Sequence, residues 1–110
     1  SFDKYERLLS RQIIDIRSHR LFLLGHFPGA LHIPHHQLVQ VYQDLNREIP
    51  YTLVCEHGVV SLTACDFMQS KGFDVLSLPG GYSQFEPEST QQILVRAYEY
   101  QSLDQQSLPS

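Results

Sequence analysis

The run Tyr51-Thr-Leu-Val-Cys-Glu-His-Gly-Val-Val-Ser61 places one cysteine, Cys55, at the end of an apolar β-like stretch and at the mouth of a short turn into a helix. A thiol in that position is placed to act as a nucleophile. Helix N-termini present unpaired N–H groups and the positive end of the helix dipole, and both favour an anion such as a thiolate. The turn Cys55-Glu56-His57-Gly58-Val59-Val60-Ser61 is short enough for its backbone N–H groups to converge on the sulfur. Gly58 permits the left-handed or closely approaching backbone that such convergence needs. The expected cradle runs from Glu56 to Ser61 and requires no charged side chain.

The side chains around the thiol each have two readings. His57 is either a hydrogen-bond or proton partner for sulfur, or an exposed loop side chain. Glu56 reads as a solvated group at the rim. Ser61 reads first as a cap for an orphan helix N–H and second as a hydroxyl partner for the sulfur. Arg17 follows the first strand and reaches the same sheet end as Cys55 if the sheet is parallel. There it either supplies a positive field to the donor or pairs with Asp15 to fasten neighbouring loops. Cys65 falls on a helical stripe with Leu62, Ala64 and Met68 and reads as core, the alternative being a thiol that resolves an oxidised Cys55. His32, His35 and His36 match no common zinc spacing with Cys55, so no metal is expected.

These residues need a scaffold that carries strand ends to one face. Phe2, Tyr5, Leu8 and Leu9 predict a short amphipathic helix, and Gln12–Ile16 a strand covered on both faces. A helical turn is expected over Arg20–Leu24, stopped by Gly25, then a short strand at Ala30–Ile33 closed by Pro34. Leu38, Val41, Tyr42 and Leu45 share a helical face. Tyr51–Cys55 is the second strong strand, followed by a helix over 61–70 that stops at Lys71-Gly72. Asp74–Leu78 is the next strand, broken by Pro79-Gly80-Gly81. Ser89 or Thr90 is positioned to cap a last helix over 91–100, and residues 101–110 form a Gln/Ser-rich tail expected to be loose. Phe22, Phe67, Phe73, Tyr82 and Phe85 are expected in the core. Alternating strands and helices predict an α/β fold with a parallel sheet and helices on both faces.

Bulk composition limits the partners. The 110 residues, 42% of them hydrophobic, suffice for one core. A formal net charge of −4 with no basic cluster disfavours nucleic acid and anionic membrane and leaves a small molecule or a protein. Two cysteines make no disulfide framework and fit a reducing compartment. No membrane span or signal peptide is recognised, so cytoplasm is the expected location. A start in a helix at Phe2 fits a domain cut from a longer chain.

Three patches in order give a more specific indication: Ile14-Asp15-Ile16-Arg17; Gly25-His26-Phe27-Pro28-Gly29-Ala30-Leu31-His32-Ile33-Pro34; and the cysteine loop followed by Gly72-Phe73, Leu78 and Gly80-Gly81-Tyr82. In these the chain resembles a rhodanese-like domain, the sulfurtransferase homology module, over roughly Ile13 to Phe85. The second patch is similar to the family's aromatic, spacer, Gly-His-Ile-Pro-Gly-Ala pattern, with Phe22 as the aromatic and Phe27 where an aliphatic residue is usual. The resemblance implies a rhodanese-like domain over residues 1–100, with a central parallel sheet of four to five strands. It also implies sulfane sulfur transfer through a Cys55 persulfide, from thiosulfate or a persulfide to cyanide or a thiol, without metal or organic cofactor. It points to the Asp15 pairing for Arg17, which stays among the candidate donor-side residues with Glu56, His57, Gly58, Val59, Val60 and Ser61.

Two departures bear on the donor. Val60 stands where an arginine is common, and Glu56 follows the cysteine, so the loop lacks a cation and carries an anion. Like charge at close range opposes dianionic thiosulfate and favours a protein or low-molecular-weight persulfide. The related dual-specificity phosphatases have a loop one residue longer ending in a phosphate-clamping arginine, and neither Val60 nor Ser61 replaces it. The alternative to an enzyme is a regulatory or protein-interaction module of this fold with little turnover.

Overall fold

A computed structural model describes residues 6–85. In chain order these form α1 (Glu6–Leu9), β1 (Gln12–Asp15), α2 (His19–Leu24), β2 (Leu31–His32), α3 (His35–Val41), β3 (Tyr51–Val54), α4 (Val60–Ser70) and β4 (Val75–Ser77). Single 3-10 turns at Tyr42–Asp44 and Gly81–Gln84 complete the path. The expected last helix over 91–100 and the tail from 101 lie outside the described residues, as do Phe2 and Tyr5 of the expected first helix.

The four strands form one parallel sheet in the order β2-β1-β3-β4. Ile14 pairs with Leu31 on one side and Leu53 on the other, and Leu53 pairs in turn with Ser77. The chain leaves β1 toward β2, then returns across β1 to build β3 and β4. The switch point therefore falls between β1 and β3, where an open α/β sheet places its ligand crevice beyond the strand ends. Arg17 and Cys55 follow those two ends.

Every residue of β3 is buried, as are Ile13, Ile14 and Asp15 of β1, which is why neither strand alternates in hydropathy. One face packs Ile14, Tyr51, Leu53 and Val75 with Leu38 of α3 and Cys65 and Met68 of α4. The other packs Ile13 and Val54 with Phe27, Leu78 and Tyr82, and Leu8 and Leu9 of α1 lie against them. The buried Thr52 hydroxyl donates to the Leu8 carbonyl at 2.7 Å, so its burial leaves no unpaired polar atom. Helix α4 buries Ser61, Cys65 and Met68, a four-then-three spacing that lines one face. Its end is a Schellman motif: Phe73 N–H donates to the Met68 carbonyl and Gly72 N–H to the Gln69 carbonyl, with Gly72 at φ +89.

Two expectations differ in detail. Helix α3 stops at Val41 and the chain tightens into the 3-10 turn, so Leu38 alone is buried while Tyr42 and Leu45 pack against the core from its edge. Phe22 is half-buried and belongs to neither core cluster. It stacks between two imidazoles, 3.7 Å from His26 and 4.3 Å from His32 by ring centroids. An aromatic on a helix whose residues are all at least partly exposed finds ring faces rather than aliphatic cover.

Candidate active site

Cys55 leaves β3 at the carboxyl end of the sheet and is 4% exposed. Its Sγ accepts the backbone N–H of Gly58 at 3.0 Å and that of Ser61 at 3.3 Å, and meets Ser61 Oγ at 3.3 Å. The cradle expected from Glu56 to Ser61 therefore places two donors on the sulfur itself. The N–H groups of His57, Val59 and Val60 find no acceptor within the described residues.

The loop holds this form because the 81–84 turn clamps it from behind. Tyr82 N–H donates to the Cys55 carbonyl at 3.1 Å and Ser83 N–H to the Glu56 carbonyl at 2.8 Å. These two bonds fix the first peptide planes of the loop, and the N–H groups that reach the sulfur are the later ones, of Gly58 and Ser61. Gly58 has φ +80, and a methyl group there would lie 2.5 Å from the Gly80 nitrogen. Gly81 has φ +56, and a methyl group on it would overlap the Cys55 carbonyl oxygen. Both glycines are therefore fixed by space as well as by backbone angle.

Ser61 is fully buried and does not cap α4. Val59 occupies the cap position without a side-chain hydrogen bond, and the Ser61 hydroxyl instead lies between Cys55 Sγ and Ser77 Oγ, 2.6 Å from the latter. The reason is register: Ser61 falls on the helix face that also carries Cys65 and Met68, so its side chain points at the sheet rather than back along the loop. His57 is exposed and makes no hydrogen bond to a described residue. Val59 is 67% and Val60 43% exposed.

Arg17 is held from several sides. Its Nε lies 3.0 Å and its Nη2 2.8 Å from the two Asp15 carboxylate oxygens, Nη2 also donates to the Gly25 carbonyl at 2.7 Å, and the guanidinium lies 3.8 Å over the Tyr82 ring. Only Nη1 faces the loop, where Glu56 Oε2 meets it at 3.4 Å. Burial works against the Arg17 charge, but the hydrogen bond and charge of Asp15 outweigh it, with Tyr82 and Glu56 adding, and the guanidinium holds its proton more firmly than usual. Burial pushes the Tyr82 phenol far above its ordinary value, and the Asp15 carboxylate adds to this. Tyr82 stays a neutral hydroxyl that donates to Asp15 and accepts the Phe27 N–H at 2.9 Å. Cys65 is buried on α4, with its thiol directed at the Val75 carbonyl. Burial, then Asp66, raises its pKa.

Three contributors escape a reading by residue type. Ser77 sits mid-pattern in a strand, Tyr82 reads as plain core, and Gly80-Gly81 reads as a strand breaker. The signal available was the pair itself: two adjacent glycines after a strand, where one suffices to stop it. Among the described residues no three His, Cys, Asp or Glu side chains gather as metal ligands, and no helix is long and apolar enough to cross a membrane.

This chain belongs to the rhodanese-like domain family, whose model matches residues 1–88. It is 38% identical over 72 residues to the thiosulfate sulfurtransferase GlpE of Pseudomonas paraeruginosa, a match covering 64% of this chain and 66% of that protein. The chain thus spans just under two thirds of that relative's length. Among solved structures it is similar to a rhodanese-related protein from Thermoplasma volcanium, with 26% identity, a TM-score of 0.69 and coverage of 74% and 82% of the two chains. A rhodanese-like domain protein from Staphylococcus aureus gives 29% identity, a TM-score of 0.63 and coverage of 71% and 78%.

Proposed function

We propose that the domain is a sulfurtransferase that carries sulfane sulfur on Cys55. The thiolate attacks the outer sulfur of a donor, the donor's S–S bond breaks, and sulfite leaves from thiosulfate, or a thiolate from a persulfide. The Cys55 persulfide then passes its outer sulfur to cyanide or a thiol, which regenerates the thiolate. The observation that carries this reading is the buried Cys55 Sγ at a strand end, accepting two backbone N–H groups from a loop whose His57, Val59 and Val60 N–H groups meet no acceptor among the described residues. Those N–H groups are suited to the outer, anionic sulfur of a persulfide. Gly58, Val59, Val60 and Ser61 then contribute backbone, and His57 stands at the mouth. Arg17, with Nε and Nη2 committed to Asp15 and Gly25, contributes through its field. No metal or organic cofactor enters the cycle.

Glu56 and Val60 favour a protein-bound or low-molecular-weight persulfide over thiosulfate as donor. The two unpaired cysteines fit a reducing, cytoplasmic setting. The same two loop residues also support a second reading, a regulatory or protein-interaction module of low turnover. Incubation with thiosulfate or a persulfide donor, followed by intact mass, separates them. One added sulfur atom is expected on the wild type and none on Cys55→Ala. A folded wild-type domain that never takes up sulfur from any donor tried would overturn the enzyme reading.

A further inference from the structure

Ser77 ends β4 one hydrogen bond removed from the thiol. Its Oγ lies 2.6 Å from Ser61 Oγ, which lies 3.3 Å from Cys55 Sγ. Ser61 has no exposed surface, so among the described residues its hydroxyl is shared between Cys55 and Ser77. A hydroxyl has one proton to give and lone pairs to accept with, so the direction of one of these bonds sets the other. While Cys55 is a thiol, its S–H donates to Ser61 Oγ and the Ser61 proton points at Ser77. Once the sulfur is anionic it has no proton to give. Ser61 then donates to Sγ and accepts the Ser77 proton in its place.

We propose that Ser77 is a positioning residue for the anionic sulfur: by donating to Ser61 it makes the buried Ser61 hydroxyl a third donor to Cys55 Sγ, beside the two backbone N–H groups. This rests on Cys55 being the nucleophile. The Cys55 proton leaves to a base in solution, and the chain of hydroxyls only reverses its polarity. Without Ser77, Ser61 can still donate to the sulfur, but its own oxygen is left unpaired in a buried site, and the support that one hydrogen bond lends the next is lost.

The test is the pH profile of Cys55 alkylation by iodoacetamide, assigned to Cys55 rather than Cys65 by peptide mapping. In Ser77→Ala the rate at pH 7 should fall about five-fold, the worth of one net hydrogen bond. The two profiles should converge at their alkaline ends, where proton loss no longer limits the rate. Ser77→Thr should restore the wild-type profile, and in a Ser61→Ala background Ser77→Ala should add nothing, because the two act in series. If Ser77→Ala does not fold, Ser77→Val against its near isostere Ser77→Thr makes the same comparison in a strand-favouring side chain. Superimposed profiles for variant and wild type, or a further drop in the Ser61→Ala background, would overturn the proposal. Sulfur uptake is scored separately. A Ser77-dependent profile without sulfur uptake keeps this inference and sinks the sulfur-carrier reading, and uptake with a profile indifferent to Ser77 does the reverse.

Discussion

At the scale of single residues, charge at the mouth of the cysteine loop decides which donors are favoured. Arg17, the cation that meets this loop among the described residues, has Nε and Nη2 occupied by Asp15 and the Gly25 carbonyl, and its remaining Nη1 faces Glu56. An incoming dianion therefore meets a guanidinium already neutralised twice, by a buried carboxylate and by one that is 42% exposed. Val60, 43% exposed, adds apolar surface where a cation would help. Two substitutions should shift the balance. Val60→Arg is expected to lower the KM for thiosulfate about two- to five-fold, the range given by a partly exposed ion pair. Glu56→Gln should move KM in the same direction by removing the opposing charge and uncovering Nη1. Steady-state kinetics with thiosulfate and with a persulfide donor check both. A KM that stays flat in well-folded variants would mean that loop charge does not select the donor.

At the scale of elements, the site is a strand end, a loop and a helix start held by a second loop. The Gly80-Gly81 turn supports the cysteine loop so closely that neither Gly58 nor Gly81 has room for a methyl group. Gly58→Ala should cost about 1–2 kcal/mol for a left-handed non-glycine backbone, plus the displacement of Gly80. Urea denaturation gives the stability and intact mass the sulfur loading, and both should fall together. Loading that survives at the wild-type rate would show that the loop tolerates a different path. Much of this arrangement was legible in the sequence. Strand ends, the Cys55 turn, Cys65 and Met68 of the α4 stripe and its Lys71-Gly72 stop follow from local periodicity and turn chemistry, which act over a few residues, whereas Leu62, expected on that stripe, is 58% exposed. The contacts that finish the site were not legible, because they join residues distant in sequence. Ser77 meets Ser61 across sixteen positions and Tyr82 reaches Asp15 across sixty-seven, and neither residue type announces a partner. Ser61 shows the limit best: its type suits a cap, but the helix register turned it toward sulfur.

At the scale of the whole molecule, two arginines fasten opposite ends of the sheet. Arg11 joins the start of β1 to the starts of β3 and β4 through the Tyr51 carbonyl and the Asp74 carbonyl and carboxylate. At the other end, Asp15, Arg17 and Tyr82 join β1 to Gly25 and Phe27, to Glu56 of the cysteine loop and to the 81–84 turn. The second cluster lies beside the site, so its protonation state governs both stability and loop geometry. Tyr82 carries the pH dependence. An unfolded tyrosine ionises near pH 10, while burial and the Asp15 carboxylate hold the folded phenol neutral well above that. Above about pH 10 the unfolded chain therefore binds fewer protons than the folded one, so stability falls as pH rises, and this contribution is fully present below that pH. The slope tends toward about 1.4 kcal/mol per pH unit for one such group. Tyr82→Phe should be less stable at neutral pH by about 1–3 kcal/mol, because the buried Phe27 N–H loses its acceptor. Its stability should also fall less steeply between pH 9 and 11. Urea midpoints across that range for the two proteins decide it: parallel lines would remove Tyr82 as the group that loosens this end of the sheet in alkali.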